Sequence, residues 1–351
     1  MQLSRRALLK GAASLAMAGV PARVLAAAPP AEAITPELIA AARKEGKVSY
    51  YTSVDLAMAE RIAKAFEARF PGITVRVERT GAERVFQRIG QEYSSRIFAV
   101  DVVNSSDAAH FIVWKRQRIL APYVPEDVAK HYAAEHKDAD GEFAAFRLML
   151  SVIGYNTNLV KREEAPQSHA DLLDPKWKGK MVKAHPGYSG TIMTATQQLA
   201  RDLGWSYLER LAQQNVMQVQ SASDTPKKIS LGERAIQADG NEYNLLLLKE
   251  QGQPVEPVYA TEGTPLVVGP NGIFKNAPNP NAARLFQNWS FSAECQQLII
   301  DVAALRSLHP LAKEKPGRKP LKEIKTLKED AEAVEKQSDE IKKRYTQLFK
   351  V

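Results

Sequence analysis

The sequence predicts an α/β fold in two lobes, and three observations predict it. Strand, loop and helix alternate three times between residues 47 and 116, the pattern of a parallel sheet flanked by helices. A second run of short strands and helices follows between 152 and 262. At 351 residues the chain is long enough to bury two cores.

The first 28 residues read as an export signal rather than as fold. Arg5, Arg6 and Lys10 precede the small, apolar stretch Gly11 to Val20, and Leu25-Ala26-Ala27-Ala28 offers small residues for cleavage. The spacing of Arg5, Arg6 and Lys10 resembles the twin-arginine type, with Leu8 where Phe is usual. A general-secretion signal carrying an arginine pair is the alternative. Either signal predicts a mature chain in the periplasm. The signal holds Arg5, Arg6, Lys10 and Arg23 and no acid, so its removal lowers the formal net charge from +8 to +4. That mild charge, without a basic stripe interleaved with aromatics, predicts no nucleic-acid partner. Downstream of the signal no apolar run is long enough to span a bilayer. Cys295 is the single cysteine, so no internal disulfide can form; it lies beside Leu298 and Ile299 and reads as a buried, inert thiol.

Thr35-Pro36-Glu37 opens a helix that Gly46 ends. Residues 47–52 form a strand, and 57–70 a helix with Ile62, Phe66 and Phe70 on one face. Pro71-Gly72 turns into the strand 73–79, which is followed by a helix over 83–95, a strand over 100–104 and a helix over 108–116. Residues 147–155 are an apolar segment, 161–166 a linker, 168–173 a short helix and 181–184 a strand. Helices over 191–203, 208–213 and 245–251 alternate with strands over 216–220 and 235–238. Strands over 255–259, 265–268 and 272–275 lead to helices over 281–291 and from 292 onward. Beyond Pro310 the chain is a lysine-rich loop. Residues 331–348 form a tail helix whose alternating charges predict a mostly solvated surface.

The loops past the strand ends are where ligands of open parallel sheets bind. In the first half they carry Thr52, Ser53, Thr80, Gly81, Ser105, Ser106 and Asp107, all small, hydroxylated or acidic. In the second half Tyr188-Ser189-Gly190-Thr191 follows a Pro186-Gly187 turn, with Ser189 at a helix N-cap. A helix start presents free N–H groups and a positive dipole end, a ready anion site. Ser221 and Ser223 belong to another hydroxyl-rich loop, and Glu242 and Tyr243 lead a further helix. Routine turn and cap chemistry is the competing account of every one of these residues.

Several blocks of this sequence resemble one family. Ser168 to Lys180 resembles the segment before the ligand loop in extracellular solute-binding proteins of ABC importers, in their ferric-iron-type branch. Gly154 to Val160, Ser221 to Lys227, Glu262 to Pro265 and Ala277 to Ala283 fit later blocks in the same order. The resemblance covers most of residues 45–310. It implies a two-lobed periplasmic-binding-protein fold of the second topological type, with a hinge of two crossover strands. The N-lobe would be 37–151, the C-lobe 152–262, with 263–310 returning to the N-lobe and 311–351 forming a charged loop and tail helix packed on the C-lobe. It further implies a monomer that closes on a small-molecule or ion ligand, has no cofactor and no catalysis, and docks on an inner-membrane permease.

Three ligand classes stay open, a small anion ahead, ferric iron next and a cationic or neutral solute last. A small organic or inorganic anion, such as a phosphonate or a phosphorylated compound, suits hydroxyl loops and a helix start, with Arg79, Arg84 and Lys227 as possible charge partners. Ferric iron would call on Tyr188 and Tyr243, with Tyr51 and Glu242 as further oxygens. Asn244 stands where the ferric branch has a second consecutive tyrosine, and Thr52-Ser53-Val54 lacks its histidine. A secreted enzyme needs a nucleophile–base pair, for which His185 near Ser189 is the one pairing of note, without a glycine-flanked elbow. A sensory binding protein would share the same pocket.

Overall fold

The computed structural model describes residues 28–351; the expected export signal lies, but for its last residue, outside the described residues. The chain runs α1 (Pro36–Glu45), β1 (Lys47–Thr52), α2 (Leu56–Arg69), β2 (Thr74–Arg79), α3 (Ala82–Ser94), β3 (Val102–Asn104), α4 (Ala109–Arg116), β4 (Leu120–Ala121), α5 (Glu126–His131) and β5 (Phe143–Leu150). It then crosses to β6 (Ile153–Asn156), β7 (Met181–Ala184), α6 (Gly190–Asp202), α7 (Trp205–Ala212), β8 (Met217–Val219), α8 (Asp224–Ser230), β9 (Ile236–Gln237), α9 (Glu242–Glu250) and β10 (Val255–Val258). It returns through β11 (Thr264–Phe274), α10 (Pro280–Ser290), α11 (Ala293–Ala303), β12 (Thr326–Leu327) and α12 (Ala331–Phe349).

Two sheets result. The first has the order β12-β11-β3-β1-β2, with β4 and β5 also paired to β11; the second has the order β10-β6-β9-β7-β8. β1 pairs in parallel with β2 and β3, and β7 in parallel with β8 and β9. In each sheet the parallel strands therefore send their C-terminal loops out on one side. We call the first sheet with its helices the N-lobe and the second the C-lobe.

Pleating explains the layers. On β1, Tyr50 packs into a core with Phe66, Phe286 and Trp289, while its neighbour Tyr51 enters the opposite core with Ile89, Phe111 and Trp114. The C-lobe buries Leu172, Trp177, Leu199 and Leu208 on one face and Val182, Ile229 and Leu245 on the other. Cys295 is fully buried in the first core, and burial pushes its thiol pKa well up, away from reactivity.

Two expectations are corrected. The strands expected at 265–268 and 272–275 are one strand, β11, whose register with β5 shifts between Gly269 and Pro270. The bulge absorbs the proline, which otherwise ends a ladder. The apolar segment 147–155 stands, and within it the chain leaves β5 and enters β6, crossing between sheets at Ser151 and Val152. The tail helix is mostly exposed or half-buried, as its charges predict, but it does not pack on the C-lobe alone. Val334, Ile341 and Tyr345 form a buried stripe, and Val334 and Ile341 share one apolar cluster with Ala109 of the N-lobe and Met193 of the C-lobe.

Candidate functional site

The strand-end loops of both sheets face each other across a narrow cleft. Its walls are Ser53, Arg79, Gly81, Ala82, Ser106, Arg147 and Met149 from the N-lobe, and Tyr188, Ser189, Thr191, Ser221, Ala222, Ser223, Asn241 and Tyr243 from the C-lobe. They enclose a cavity of about 20 Å³, so the two lobes stand nearly shut on each other. A larger open depression lined by Tyr155, Arg162, Lys249 and Tyr259 lies against the edge strand β10. No parallel-strand loops converge there, so the smaller cleft is the better candidate.

Two glycines let the lobes meet. A Cβ on Gly190, the first residue of α6, would lie 2.7 Å from Asp107 Cβ and 3.0 Å from Ala82 Cβ across the cleft. A Cβ on Gly81 would lie 2.9 Å from the Tyr188 carbonyl oxygen. At these positions any larger residue would hold the lobes apart.

The N-lobe wall is built around Arg147, which β5 places at 1% exposure. Its Nε donates to Asn104 Oδ1 at 3.1 Å, and Asn104 Nδ2 in turn donates to the Pro270 carbonyl at 2.9 Å. Nη1 meets the Met149 thioether at 2.6 Å, and Nη2 lies 3.5 Å from Ser53 Oγ. Gly269 is its cross-strand partner; a Cβ there would lie 3.0 Å from Arg147 Cγ. Ser53 Oγ also accepts the Ser106 N–H at 2.9 Å, which locks two of the loops together. Arg79, at the end of β2, donates from Nε to the Val54 carbonyl at 3.0 Å. Among the described residues no carboxylate comes within 4.0 Å of either guanidinium. Burial, with a smaller push from Arg79, holds the Arg147 pKa below the ordinary arginine value. An arginine stays charged regardless. The lining thus carries two arginines and no carboxylate.

The C-lobe wall supplies donors. Ser189 occupies the N-cap position of α6 by backbone, but its hydroxyl caps nothing in the helix. Its carbonyl accepts the Met193 N–H at 2.9 Å. The first N–H groups of α6 are therefore without intrahelical partners, as at any helix start. Asn241 Nδ2 donates to Ser223 Oγ at 3.2 Å, and Ser223 Oγ lies 3.5 Å from the Tyr243 hydroxyl. Burial pushes the Tyr243 pKa up, against the charge of Arg147, so the phenol form is favoured.

Of the residues expected from sequence, the cleft brings together Ser53, Gly81, Ser106, Tyr188, Ser189, Thr191, Ser221, Ser223, Tyr243 and Arg79. The others lie behind it or elsewhere. Thr52 Oγ1 accepts the Val54 N–H at 3.0 Å, and the Thr80 N–H bonds the Thr52 carbonyl at 3.2 Å. Ser105 Oγ pairs with His110 Nδ1 at 3.0 Å. Gly190 forms the lobe contact. Tyr51 points into the N-lobe interior, where its hydroxyl donates to Glu92 at 3.0 Å; burial pushes its pKa up to about 12. Arg84 donates to Gln220 of the C-lobe at 3.0 Å, and Lys227 extends to solvent. Glu242 is buried away from the lining, held by Arg306 and Arg318, each at 2.7 Å, and by the Tyr259 hydroxyl at 2.6 Å. Burial opposes its ionisation, but the two arginines outweigh burial and hold its carboxyl below the usual range. It is committed to tying α9 to the segments that follow α11.

Sequence reasoning missed Arg147, Met149 and Asn241. The signal for Arg147 was present: one arginine inside the apolar run Phe143-Ala144-Ala145-Phe146-Arg147-Leu148-Met149-Leu150. A charge in a buried strand needs a partner or a function.

The model of the bacterial extracellular solute-binding protein family matches residues 100–327. The chain belongs to that family. An uncharacterized protein of Haemophilus influenzae is 26% identical over 267 residues, covering 73% of this chain and 76% of that one. Iron uptake protein A1 of Synechocystis is 23% identical over 250 residues, covering 65% and 66%. The fold is shared with the periplasmic binding protein AfuA of Actinobacillus pleuropneumoniae, solved with fructose-6-phosphate bound (TM-score 0.80, 24% identity, 88% of this chain and 99% of that one). It is shared also with iron-bound HitA of Pseudomonas aeruginosa (TM-score 0.73, 22% identity, 85% and 99%). The two-lobed binding-protein fold expected from the resemblance is thus the observed one. In this solute-binding protein the cleft lies where the strand-end loops of the two sheets converge.

Proposed function

We propose that this protein is the periplasmic capture component of an ABC importer, and that its cargo is a small anion of the phosphoryl or phosphonyl class. One observation carries the ligand class: Arg147 is a fully buried guanidinium on the cleft wall with no carboxylate partner. A buried charge without a counter-ion costs several kcal/mol, roughly, and a bound anion offsets that cost. Arg79, the hydroxyls of Ser53, Ser106, Ser189, Thr191, Ser221 and Ser223, and the start of α6 supply the remaining donors. AfuA, solved with a sugar phosphate, supports the same class. The closed lobes would present the loaded form to a membrane permease.

The iron reading draws on HitA and the Synechocystis iron uptake protein, but the cleft supports it poorly. A trivalent hard ion wants several anionic oxygens. Tyr188 and Tyr243 are the phenols at hand, Glu242 is taken by Arg306 and Arg318, and the lining carries net positive charge. The test is a thermal-shift screen of the purified protein against phosphorylated sugars, phosphonates, plain carboxylates and ferric citrate. Stabilisation by a phosphoryl or phosphonyl compound, growing with concentration by mass action, is the expected result. A visible iron–phenolate band that Tyr243→Phe abolishes, with no response to any phosphoryl compound, would overturn the assignment.

A further inference from the structure

We propose a second ligand site on the N-lobe, away from the cleft: Asp127, His131 and His309 form a three-ligand site for a zinc-type divalent cation. Asp127 and His131 stand one helical turn apart on α5, so both side chains leave the same face. His309 comes from the segment after α11 and meets them there. One potential ligand atom from each residue lies within 4.8 Å of the others. Asp127 Oδ1 is 3.9 Å from His131 Nε2, and Asp127 Oδ2 is 3.6 Å from His309 Nε2. The two rings meet edge-on with centroids 4.9 Å apart.

Tetrahedral zinc with bonds of about 2.0–2.1 Å places its ligand atoms about 3.3–3.5 Å apart. The two carboxylate–imidazole spacings exceed this by a few tenths of an ångström, and the imidazole–imidazole spacing, within 4.8 Å, closes by a turn of the partly exposed His131. Two imidazoles and one carboxylate are a ligand set that suits zinc and disfavours magnesium or calcium, which want more oxygens. The half-exposed edges of Asp127 and His131 leave a fourth position open to water.

The second observation is the state of His309. Its side chain is 1% exposed, and Nε2, aimed at Asp127, has no hydrogen-bond partner. A buried polar atom in that condition calls for an explanation, and an ion is one of the few available. The Leu311 N–H lies 3.3 Å from Nδ1, a long contact that favours the proton on Nε2 of the neutral ring. Cation binding moves that proton to Nδ1, and the exposed Leu311 segment must turn its N–H away from it. A bound ion would staple α5 to the segment that carries Arg306, in a chain that has no disulfide to do so.

The test is calorimetric titration of the chelator-stripped protein with ZnCl2, with no cleft ligand present. We expect one saturable site in the micromolar range or tighter, a raised melting temperature, and tetrahedral d–d absorption when Co2+ replaces Zn2+. His131→Ala, which alters a partly exposed side chain, should keep the fold and weaken binding at least tenfold. Asp127→Asn should do likewise, and MgCl2 should give no response. His309→Asn repeats the test from the buried side, with circular dichroism to verify folding. Absence of saturable zinc binding, or equal affinity in wild type and His131→Ala, would overturn the proposal.

Discussion

Replacing Arg147 with methionine separates its two energetic roles. In the unliganded protein the guanidinium is a buried charge whose partners are an amide oxygen, a thioether and a distant hydroxyl. Exchanging buried ionic groups for apolar side chains of similar volume is neutral or stabilising by about 1–4 kcal/mol. The lost bond to Asn104 subtracts about 1 kcal/mol. The unliganded Arg147→Met protein should therefore be as stable as wild type or more so, by up to about 3 kcal/mol. In the complex the same change removes two charge-assisted bonds, worth about 1.5–3 kcal/mol each. Affinity should fall by about 10²–10⁴-fold, at 1.4 kcal/mol per factor of ten. Urea unfolding of the unliganded protein and calorimetry with the best phosphoryl ligand read the two effects separately. Opposite signs are the signature. Affinity within about threefold of wild type, or an unliganded variant destabilised by more than about 2 kcal/mol, would refute the assignment of Arg147 to the ligand.

Gly190→Ala should lower ligand affinity about tenfold with little loss of fold stability, because its new methyl meets Asp107 Cβ across the lobes rather than anything within its own lobe; small-angle scattering with saturating ligand should show a more open particle. Glu242→Gln should destabilise by about 3–5 kcal/mol, since it strands Arg306 and Arg318 in the interior; chemical unfolding measures it. Acid should act on the same carboxyls. Glu242 is held below its ordinary 4.5 in the folded protein, and Glu83 is held at about 2 by His110 and Lys342, which outweigh the opposing effect of burial. Their contribution is complete above the unfolded value and is lost as pH falls through the folded values, so the melting temperature should hold down to about pH 5 and decline below it. Glu242→Gln should flatten that decline.

The strand-end hydroxyls were legible in the sequence because loop chemistry is local. Ser53, Ser106, Ser189 and Ser223 sit in turns that short motifs mark, and parallel alternation says those turns share one side of a sheet. The α/β class and most elements were legible for the same reason: Ile62 and Phe66, or Val85 and Ile89, announce a helix face at a few residues' range. Arg147 was legible only in part: its place in an apolar run marks a buried charge, but the lack of a carboxylate partner depends on strands far away in the chain. Glu242 was misleading for the complementary reason. Its arginines lie 64 and 76 residues further along the chain, and no local pattern brings them near. The joining of two expected strands into β11 was hidden by Gly269-Pro270, since a bulge is set by the partner strand's register.

The tail helix was read as solvated because its charges alternate, yet it touches both lobes and so bears on closure. Its hold on the C-lobe is largely buried: Tyr345 is 0% exposed, meets the His185 ring edge-on at 5.0 Å and donates to Gln218 at 2.8 Å. Burying such a ring is worth about 1.5–3 kcal/mol. Its hold on the N-lobe includes Arg116–Glu335 at 2.9 Å and Lys342–Glu83 at 2.9 Å, both partly or well exposed. Exposed pairs are worth about 0.2–1 kcal/mol each and are screened by salt. If the lobes part, α12 should therefore travel with the C-lobe and release the N-lobe. The ion pairs then change between open and closed forms together with the apolar contact of Val334 and Ile341 on Ala109, and they are the salt-sensitive part of that change. The double variant Glu335→Gln, Lys342→Ala should accordingly weaken ligand binding about two- to thirtyfold at low salt, the range set by about 0.4–2 kcal/mol for two pairs. Raising the salt should shrink the gap to wild type, because screening removes from wild type what the variant already lacks. A gap that persists unchanged at high salt would mean that the apolar contacts of Val334 and Ile341, not the ion pairs, join the tail to the N-lobe.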